Sequence, residues 1–373
     1  MTSLRPIDSL ESHEVTNQPP TLEAFDRFSS DQALVDAVKM AGGEVHKQRL
    51  TSFGIRTGSS EVIGWGEAAN RNPPVLDTHD RQGRRIDEVQ FHPSYHQLMA
   101  LGLGEGVAAA GWDGTEAGHV LHAALSFLLG QVDAGTGCPM TMTYAAVAAL
   151  KRDPDVGYEW IGRITSSLYD PVVRPAPEKK GVTIGMAMTE KQGGSDVRAN
   201  TTRAEYADGA YHLTGHKWFC SAPMCDAFLT LAYTGNGLTC FIVPRWTPDG
   251  KRNAGFRVIR LKDKLGDRSN ASSEIEYHHA YAQRLGEEGK GVKTIIQMVQ
   301  HTRFDCIVGS ASTMRAALTE ALWHTAHRTV MQRRLIEQPA MMSVLADLAL
   351  ESEAATALAF QVGAAFDMAD PLS

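Results

Sequence analysis

The sequence predicts an α+β multidomain protein with a helical N-terminal domain, a central antiparallel β-barrel or sandwich, and a C-terminal helical bundle. Three observations lead to this order. Residues 118–132 and 138–150 are rich in Ala, Leu and Met and are too long for strands. From about residue 182, short apolar runs alternate with close turns such as Asp208-Gly209. After residue 286, apolar residues again recur at helical spacing.

The composition is that of an ordinary globular protein. Apolar residues make up 43% and charged residues 21% of the chain, and no apolar run is long enough for a membrane span. The N-terminus lacks the apolar segment of a signal peptide. Five cysteines at scattered spacings suit reduced thiols better than disulfides. We therefore expect a cytoplasmic protein without a membrane span. A net charge of −7 argues against a surface that is coated throughout by nucleic acid.

Residues 1–35 differ from the rest of the chain. They are polar, contain a Pro-Pro pair and show no apolar periodicity. We expect an arm that is either disordered or laid on a partner subunit. The first helix should begin directly after it, with Ser30 or Asp31 as the N-cap.

Three domains are predicted to follow the arm. Residues 36–181 form the N-terminal helical domain, with a helical pattern from about 88 to 168, and residues 182–285 form the β-domain of about six short strands. Asn236-Gly237 is a second predicted hairpin turn in the β-domain. Residues 286–373 form the C-terminal helical domain, whose last helix should start near Pro339. Two long helices bury their apolar faces poorly, so we expect this domain to be incomplete.

The stretch "MTEKQGGSDV", residues 188–197, combines hydroxyl groups with a flexible turn. Thr189 ends a predicted strand, and Gly193-Gly194 would let the backbone turn tightly and approach a flat ligand. Thr189 and Ser195 each supply a hydroxyl that can donate and accept hydrogen bonds. The alternative is an ordinary exit from a strand with a capping serine.

A second stretch, "GHKWFCSAP" at 215–223, adds an aromatic residue and another hydroxyl. Along a strand, Phe219 and Ser221 face the same side. Together with the Gly-Gly turn, they would make a platform for a planar ring system. The alternative is that Trp218 and Phe219 are aromatic residues of the β-domain core.

These stretches resemble the acyl-CoA dehydrogenase superfamily, and the resemblance covers nearly the whole chain. Four blocks occur in the family's order: Thr189-Glu190 followed by Gly194-Ser195-Asp196; Gly215 and Lys217 followed by Phe219 and Ser221; "KDKLGDRSNASSEIEY"; and Thr302-Arg303. Finer details, among them "HEVTNQPPTL" and Thr-Glu-Lys-Gln in place of Thr-Glu-Pro, resemble the AidB-type branch, which is linked to the adaptive response to alkylation damage.

The resemblance implies that the cofactor is FAD. Thr189 would contact the pyrimidine edge of the flavin, Phe219 would flank the ring, and Ser221 would reach its polar edge. Ser195 would meet either FAD or the acyl thioester substrate. The implied FAD-binding residues are Met188, Thr189, Gly193, Gly194, Ser195, Phe219, Cys220 and Ser221.

The implied activity is that of an FAD-dependent oxidoreductase of class EC 1.3, which performs α,β-dehydrogenation of an acyl thioester. The family's usual base is a Glu that would lie beyond Ser373, so we assign no catalytic base. A minority of the family places the base at the position of Thr302, which cannot serve as one. Arg303 matches the family's buried Arg near the base and would support it. Alternatively, Arg303 is a helix residue paired with Asp305 or another acid.

The resemblance also leaves a second function open. The chain would then be an AidB-like flavoprotein that binds DNA and protects against alkylation damage, with weak or vestigial dehydrogenase activity. The DNA-binding part would lie in the last helical segment, beyond Ser373. In either case the resemblance implies a homo-oligomer, a tetramer built as a dimer of dimers.

Two other clusters do not indicate a metal site. His324 and His327 lie three residues apart on a predicted helix, but no further acid or cysteine follows closely. Cys220 and Cys225 lack the second pair of ligands that a zinc site requires. We therefore expect no bound metal.

Overall fold

The computed structural model describes residues 6–369. Helices form the N-terminal part of the chain: α1 Gln32–Met40, α2 Lys47–Thr57, α3 Ser60–Arg71, α4 Pro93–Gly104, α5 Gly118–Gly130, α6 Ala134–Leu150 and α7 Pro154–Ile164. Asp31 is the N-cap of α1, and its side chain accepts a hydrogen bond from the amide of Leu34. Helices α5 and α6 are apolar on nearly every side because they lie inside the core, between the other helices.

A β-hairpin interrupts these helices, contrary to the helical pattern predicted from residue 88. Strand β1, Val75–His79, pairs with β2, Arg85–Gln90, in antiparallel fashion. Gly83 makes the turn with φ +79°. The hairpin docks on the β-domain, where the guanidinium of Arg85 donates to the carbonyl of Val258 at 2.7 Å. The helical prediction is therefore wrong for residues 88–90, which are the end of strand β2.

The β-domain contains strands β3 Ile184–Ala187, β4 Arg203–Ala207, β5 Ala210–Ser221, β6 Ala227–Thr234, β7 Gly237–Pro244, β8 Phe256–Leu261 and β9 Ser272–Leu285. The strand order is β3-β6-β4-β5-β9-β7, and β8 pairs with β9. Because β7 also pairs with β6, five of these strands close into a barrel. The domain is not wholly antiparallel, since β3 and β4 pair with β6 in parallel.

The predicted turns connect the antiparallel strands. Asp208 and Gly209 both have positive φ, +52° and +81°, as a tight β4–β5 hairpin requires. The β6–β7 turn lies one residue earlier than predicted, because Gly237 already pairs with Thr234. The turn is therefore made by Gly235 and Asn236.

Two long helices follow the barrel: α8 Gly291–His327 and α9 Pro339–Ala369. Between them lie two short paired strands, β10 Thr329–Val330 and β11 Arg333–Arg334. Pro339 is the first residue of α9, where its missing amide hydrogen costs nothing. Helix α8 packs on α6 and α9, and it forms one wall of the site described below.

The N-terminal arm contacts its own chain. The Asn17 side-chain amide donates to the carbonyl of Thr329 at 2.8 Å, and its oxygen accepts from the Thr329 amide at 2.7 Å. The indole of Trp323 donates to the carbonyl of Pro20 at 2.6 Å. Hydrogen bonds thus hold a polar segment against the end of α8. The expectation of a disordered arm is therefore wrong for these residues, and its contact with a partner subunit stays a prediction.

Within residues 6–369, no helix is both long and apolar enough to cross a membrane. The five cysteines form no disulfide with one another. Cys220, Cys225 and Cys240 are buried in the barrel. This agrees with the expected reduced thiols.

Candidate functional site

A cavity of about 820 Å³ lies where the N-terminal helices, the barrel and α8 meet. All four of the predicted blocks reach it: Thr189 from the loop after β3, Phe219 and Ser221 from β5, Asp267 from the segment before β9, and Thr302 from α8. Four methionines supply much of the apolar lining: Met140, Met142, Met186 and Met188. Its size and its apolar lining with a few hydroxyl groups are typical of a small-molecule site.

The pairing of β5 with β9 is irregular beside the cavity. Lys217 pairs with Ile275, and Cys220 pairs with Ser273. The chain therefore advances three residues along β5 but only two along β9 between these two pairs. The extra residue makes a β-bulge, which is common next to active sites. Strict alternation would have put Lys217 and Cys220 on opposite faces. With the bulge, both side chains are fully buried.

The bulge also determines where the two aromatic residues lie. Phe219 is 48% exposed and lines the cavity, and Trp218 is half-buried. Neither ring belongs to the barrel core, so their interpretation as core residues is wrong. Cys220 is fully buried away from the cavity, and burial raises the pKa of its thiol. Its side chain therefore does not reach the cavity that Phe219 and Ser221 share.

The Gly-Gly turn lies against Thr189. A Cβ at Gly194 would come within 2.5 Å of the Thr189 hydroxyl oxygen, so a side chain there would displace that hydroxyl. Gly193 has φ +133° and donates its amide to the carbonyl of Glu190 at 3.0 Å. Ser195 is exposed and is not part of the cavity wall. The turn therefore shapes the wall at Thr189 and contributes no side chain to it.

A buried ion pair connects the first two blocks. Lys217 Nζ lies 2.9 Å from Glu190 Oε1, and neither side chain is exposed. The Glu190 carboxylate also accepts hydrogen bonds from the amides and hydroxyls of Thr201 and Thr202. Burial opposes ionisation, but the Thr202 hydroxyl and the Lys217 charge outweigh it and hold the pKa of Glu190 well below its usual range.

This ion pair fixes the loop after β3 to β5. The amide of Trp218 donates to the carbonyl of Thr189 at 2.7 Å, directly beside the ion pair. Glu190 and Lys217 belong to the motifs, but no role was predicted for either residue. No sequence pattern marks Glu190 as buried, since Lys191 and Gln192 follow it and the segment has the composition of an exposed polar turn.

Helix α8 forms the opposite wall with small polar side chains one helical turn apart, namely Thr302, Cys306, Ser310 and Thr313. Asp305 is buried in the same wall. One of its oxygens lies 2.7 Å from Nε2 of the fully buried His122. The other ring nitrogen, Nδ1, lies 2.5 Å from the carbonyl of Val107, and so it donates. The His122 ring is also stacked on Tyr144, with ring centroids 3.5 Å apart.

Arg303 does not occupy the position that the resemblance implies. It is exposed on α8 and is absent from the cavity wall. Asp305 pairs with His122, so the alternative pairing of Arg303 with Asp305 is also wrong. Because Arg303 follows Thr302 directly on a helix, its side chain projects about 100° away from the cavity-lining face.

Comparisons with protein-family models divide the chain in the order of its fold. Residues 17–171 match the adaptive response protein AidB N-terminal domain. Residues 185–280 match the acyl-CoA dehydrogenase middle domain, and residues 289–372 match the acyl-CoA dehydrogenase C-terminal domain. The three matches together cover most of the chain.

Similar proteins agree with these matches. AidB of Escherichia coli (strain K12) is 46% identical over 96% of this chain and 66% of its own length. Acyl-CoA dehydrogenase family member 11 of Caenorhabditis elegans is 31% identical over 84% of this chain and 52% of its own length. The structure of C. elegans ACDH-11 in complex with C11-CoA has a TM-score of 0.86 at 27% identity, and the match covers 100% of this chain and 65% of that one. The chain thus spans between about half and two thirds of these relatives.

The cavity has the features that a flavin needs. It presents the Thr189 and Ser221 hydroxyls and the half-exposed ring of Phe219, and the absence of a Cβ at Gly194 leaves the Thr189 hydroxyl in place. FAD is the cofactor of the acyl-CoA dehydrogenases. The fold, the order of the motifs and the comparisons lead to one conclusion: the chain belongs to the acyl-CoA dehydrogenase family, in its AidB-type branch.

Proposed function

We propose that the chain binds FAD in the 820 Å³ cavity and is an acyl-CoA dehydrogenase-type oxidoreductase that acts on an acyl thioester. One observation carries the proposal: Thr189, Phe219 and Thr302, which are far apart in the sequence, line the same cavity. Members of three separate motif blocks are expected to meet in this way when they share a ligand.

FAD, when bound, would accept a hydride from the substrate. The chain's own residues would bind and orient it. The Thr189 hydroxyl would donate a hydrogen bond, and such a donor stabilises negative charge that develops on reduction. Phe219 would flank the ring. Ser221 Oγ lies 3.3 Å from the hydroxyl of Ser272, which would help to orient it towards the ligand.

The acyl chain of the substrate would lie between α6 and α8. Met140 and Met142 line the cavity there, and Val107 and Leu129 extend the apolar surface. Flexible methionine side chains adapt to an aliphatic chain and exclude water. The C. elegans relative was solved with C11-CoA, which supports a ligand of the acyl-CoA class for this chain.

The test is a titration of the purified protein with FAD, followed by anaerobic addition of acyl-CoA esters of increasing chain length. We expect yellow protein with stoichiometric FAD and bleaching of the flavin band by at least one ester. FAD that does not bind would contradict the proposed cavity. FAD that binds but is not bleached by any ester would contradict the proposed substrate class.

We also propose a homo-oligomer, arranged as a dimer of dimers. Helix α9 exposes several large apolar side chains: Met342, Val344, Leu348, Leu350 and Leu358. A single chain rarely leaves so many large apolar side chains of one helix uncovered. Light scattering should give a mass of four chains, and Leu348→Asp with Leu358→Asp should lower it. A monomeric mass for the wild type would contradict this assembly.

A second candidate is a flavoprotein of the adaptive response that binds DNA and has little dehydrogenase activity. The match of residues 17–171 to the AidB N-terminal domain favours it. A DNA titration at several salt concentrations separates the two candidates, because contacts with phosphates make affinity fall steeply with salt. A steep salt dependence with little turnover would favour DNA binding, and turnover without DNA affinity would favour the dehydrogenase.

A further inference from the structure

We propose that Lys262 is a positioning residue for the bound flavin and acts through Trp218 and Phe219. The inference rests on the proposed function, since it concerns the same cavity. Lys262 is not among the residues that the motif resemblance implies for FAD. Its ammonium would hold the two aromatic rings in place. It would also put a positive charge near the ligand, separated from it by an aromatic ring.

The geometry brings Lys262 onto both aromatic rings. Lys262 follows β8, and its amide donates to the carbonyl of Ser272 on β9 at 2.7 Å. Its Nζ lies 3.3 Å from the ring centroid of Trp218 and 4.6 Å from that of Phe219. One cation can reach two consecutive residues of β5 because the bulge leaves both rings on the same side of the strand.

A buried carboxylate holds the ammonium in place. Lys262 Nζ donates to Glu274 Oε1 at 2.7 Å, and the exposed fractions of the two side chains are 12% and 9%. Arg260 donates to the same oxygen at 2.8 Å. Burial opposes ionisation of Glu274, but the hydrogen bonds from Lys262 and Arg260 keep its pKa below its usual range. The carboxylate therefore stays charged and fixes Lys262 over the rings.

This arrangement has two consequences for a flavin in the cavity. Phe219 is 48% exposed, and a cation on its ring restricts the orientations that this side chain can adopt. A restrained wall loses less conformational entropy when a ligand binds. The positive charge also favours the anionic reduced flavin over the neutral oxidised form, so Lys262 should raise the reduction potential.

The experiment compares Lys262→Met, Lys262→Arg and Glu274→Gln with the wild type in the full chain. Lys251→Met is the control, because Lys251 is 81% exposed and pairs with Asp249 on the surface. Three quantities are measured for each protein: the dissociation constant for FAD, the visible spectrum of the bound flavin and its midpoint potential. Circular dichroism confirms that each variant is folded.

We expect Lys262→Met to weaken FAD binding about 3- to 10-fold, the range of one cation–π contact, and to lower the midpoint potential. Lys262→Arg keeps the positive charge and should have a midpoint potential close to that of the wild type. Glu274→Gln loosens the ammonium without removing it and should weaken binding less than Lys262→Met. Lys251→Met should match the wild type.

Wild-type affinity and potential in Lys262→Met would overturn the inference while leaving the proposed function intact. If Lys262→Met does not fold, an unchanged affinity and potential in Glu274→Gln would overturn the inference instead. If the wild type binds no FAD, the proposed function fails, and the inference fails with it. A lowered potential in Lys262→Met that Lys262→Arg restores would support the inference, because a merely structural role would not follow the charge.

Discussion

The ammonium of Lys217 and the carboxylate of Glu190, 27 positions apart in the sequence, meet 2.9 Å from each other with no exposure to solvent. The same ammonium donates to the carbonyl of Leu231 at 3.0 Å. Gly215 allows the close approach of strands here, since a Cβ would lie 2.5 Å from the Thr202 hydroxyl. The family motifs at 189–190 and 215–217 thus hold the cavity wall together, and Thr189 also lines the cavity.

Removing one partner of this pair should destabilise the protein strongly. Lys217→Met leaves Glu190 charged and buried, so we expect a loss of about 3–5 kcal/mol in the free energy of unfolding. The double variant with Glu190→Gln should recover part of that loss. Urea unfolding of the two single variants and the double variant gives the coupling energy. Asp249→Asn, which breaks the exposed pair with Lys251, is the control and should leave the free energy of unfolding close to that of the wild type. Additive losses without coupling would contradict the pairing.

Changes at the Gly-Gly turn should act on flavin binding through Thr189. Gly194→Val places a branched side chain against the Thr189 hydroxyl and should give folded, colourless protein. Thr189→Val keeps the shape of the side chain but loses one hydrogen bond, so FAD binding should weaken by about 1 kcal/mol and the reduction potential should fall.

Gly162→Val is the control for the Gly-Gly turn, because Gly162 lies exposed on α7 with open space around it. The absorbance spectrum and a redox titration are the measurements. Full yellow colour in Gly194→Val would contradict the role of the turn.

The order of domains and part of the cavity lining were predictable from the sequence. Periodicity and turn residues predict helices, then strands, then helices, and the motifs place Thr189, Phe219 and Ser221 on one cavity. The β-bulge was not predictable, because alternation along β5 contains no sign of the extra residue. The exposed position of Arg303 was also missed. The motif identifies Thr302 and Arg303 as consecutive residues, but it does not show which of the two side chains faces the cavity.

The pair of His122 and Asp305 predicts a difference between two substitutions at one position. Asp305→Ala removes the partner of a fully buried imidazole nitrogen, so we expect a loss of about 1–3 kcal/mol in stability. Asp305→Asn should cost less, because the asparagine amide can either donate a hydrogen bond to Nε2 of His122 or accept one from it. Urea unfolding at pH 7.5 measures both. Equal losses for the two variants would show that the cost comes from packing and not from the hydrogen bond.

His301 should make the protein less stable in acid. It is 8% exposed, between Trp112 and Phe366, and its Nδ1 lies 3.1 Å from the hydroxyl of Tyr144. Burial, reinforced by the nearby His119, lowers its pKa from 6.5 to about 3. The unfolded chain therefore binds a proton on His301 between about pH 6.5 and pH 3, and the folded chain does not. Stability from this group is complete above pH 6.5 and is lost as the pH falls below it.

The loss should approach about 1.4 kcal/mol for each pH unit below 6.5, in addition to the contribution of other groups. Replacing the imidazole with an apolar ring in His301→Phe removes the titration while keeping a ring between Trp112 and Phe366. We therefore expect the stability of the wild type to fall more steeply than that of the variant when urea unfolding is measured from pH 7.5 down to pH 5. His13→Phe, on the exposed arm, is the control and should follow the wild type. Parallel curves for wild type and His301→Phe would show that His301 is not held neutral in the folded protein.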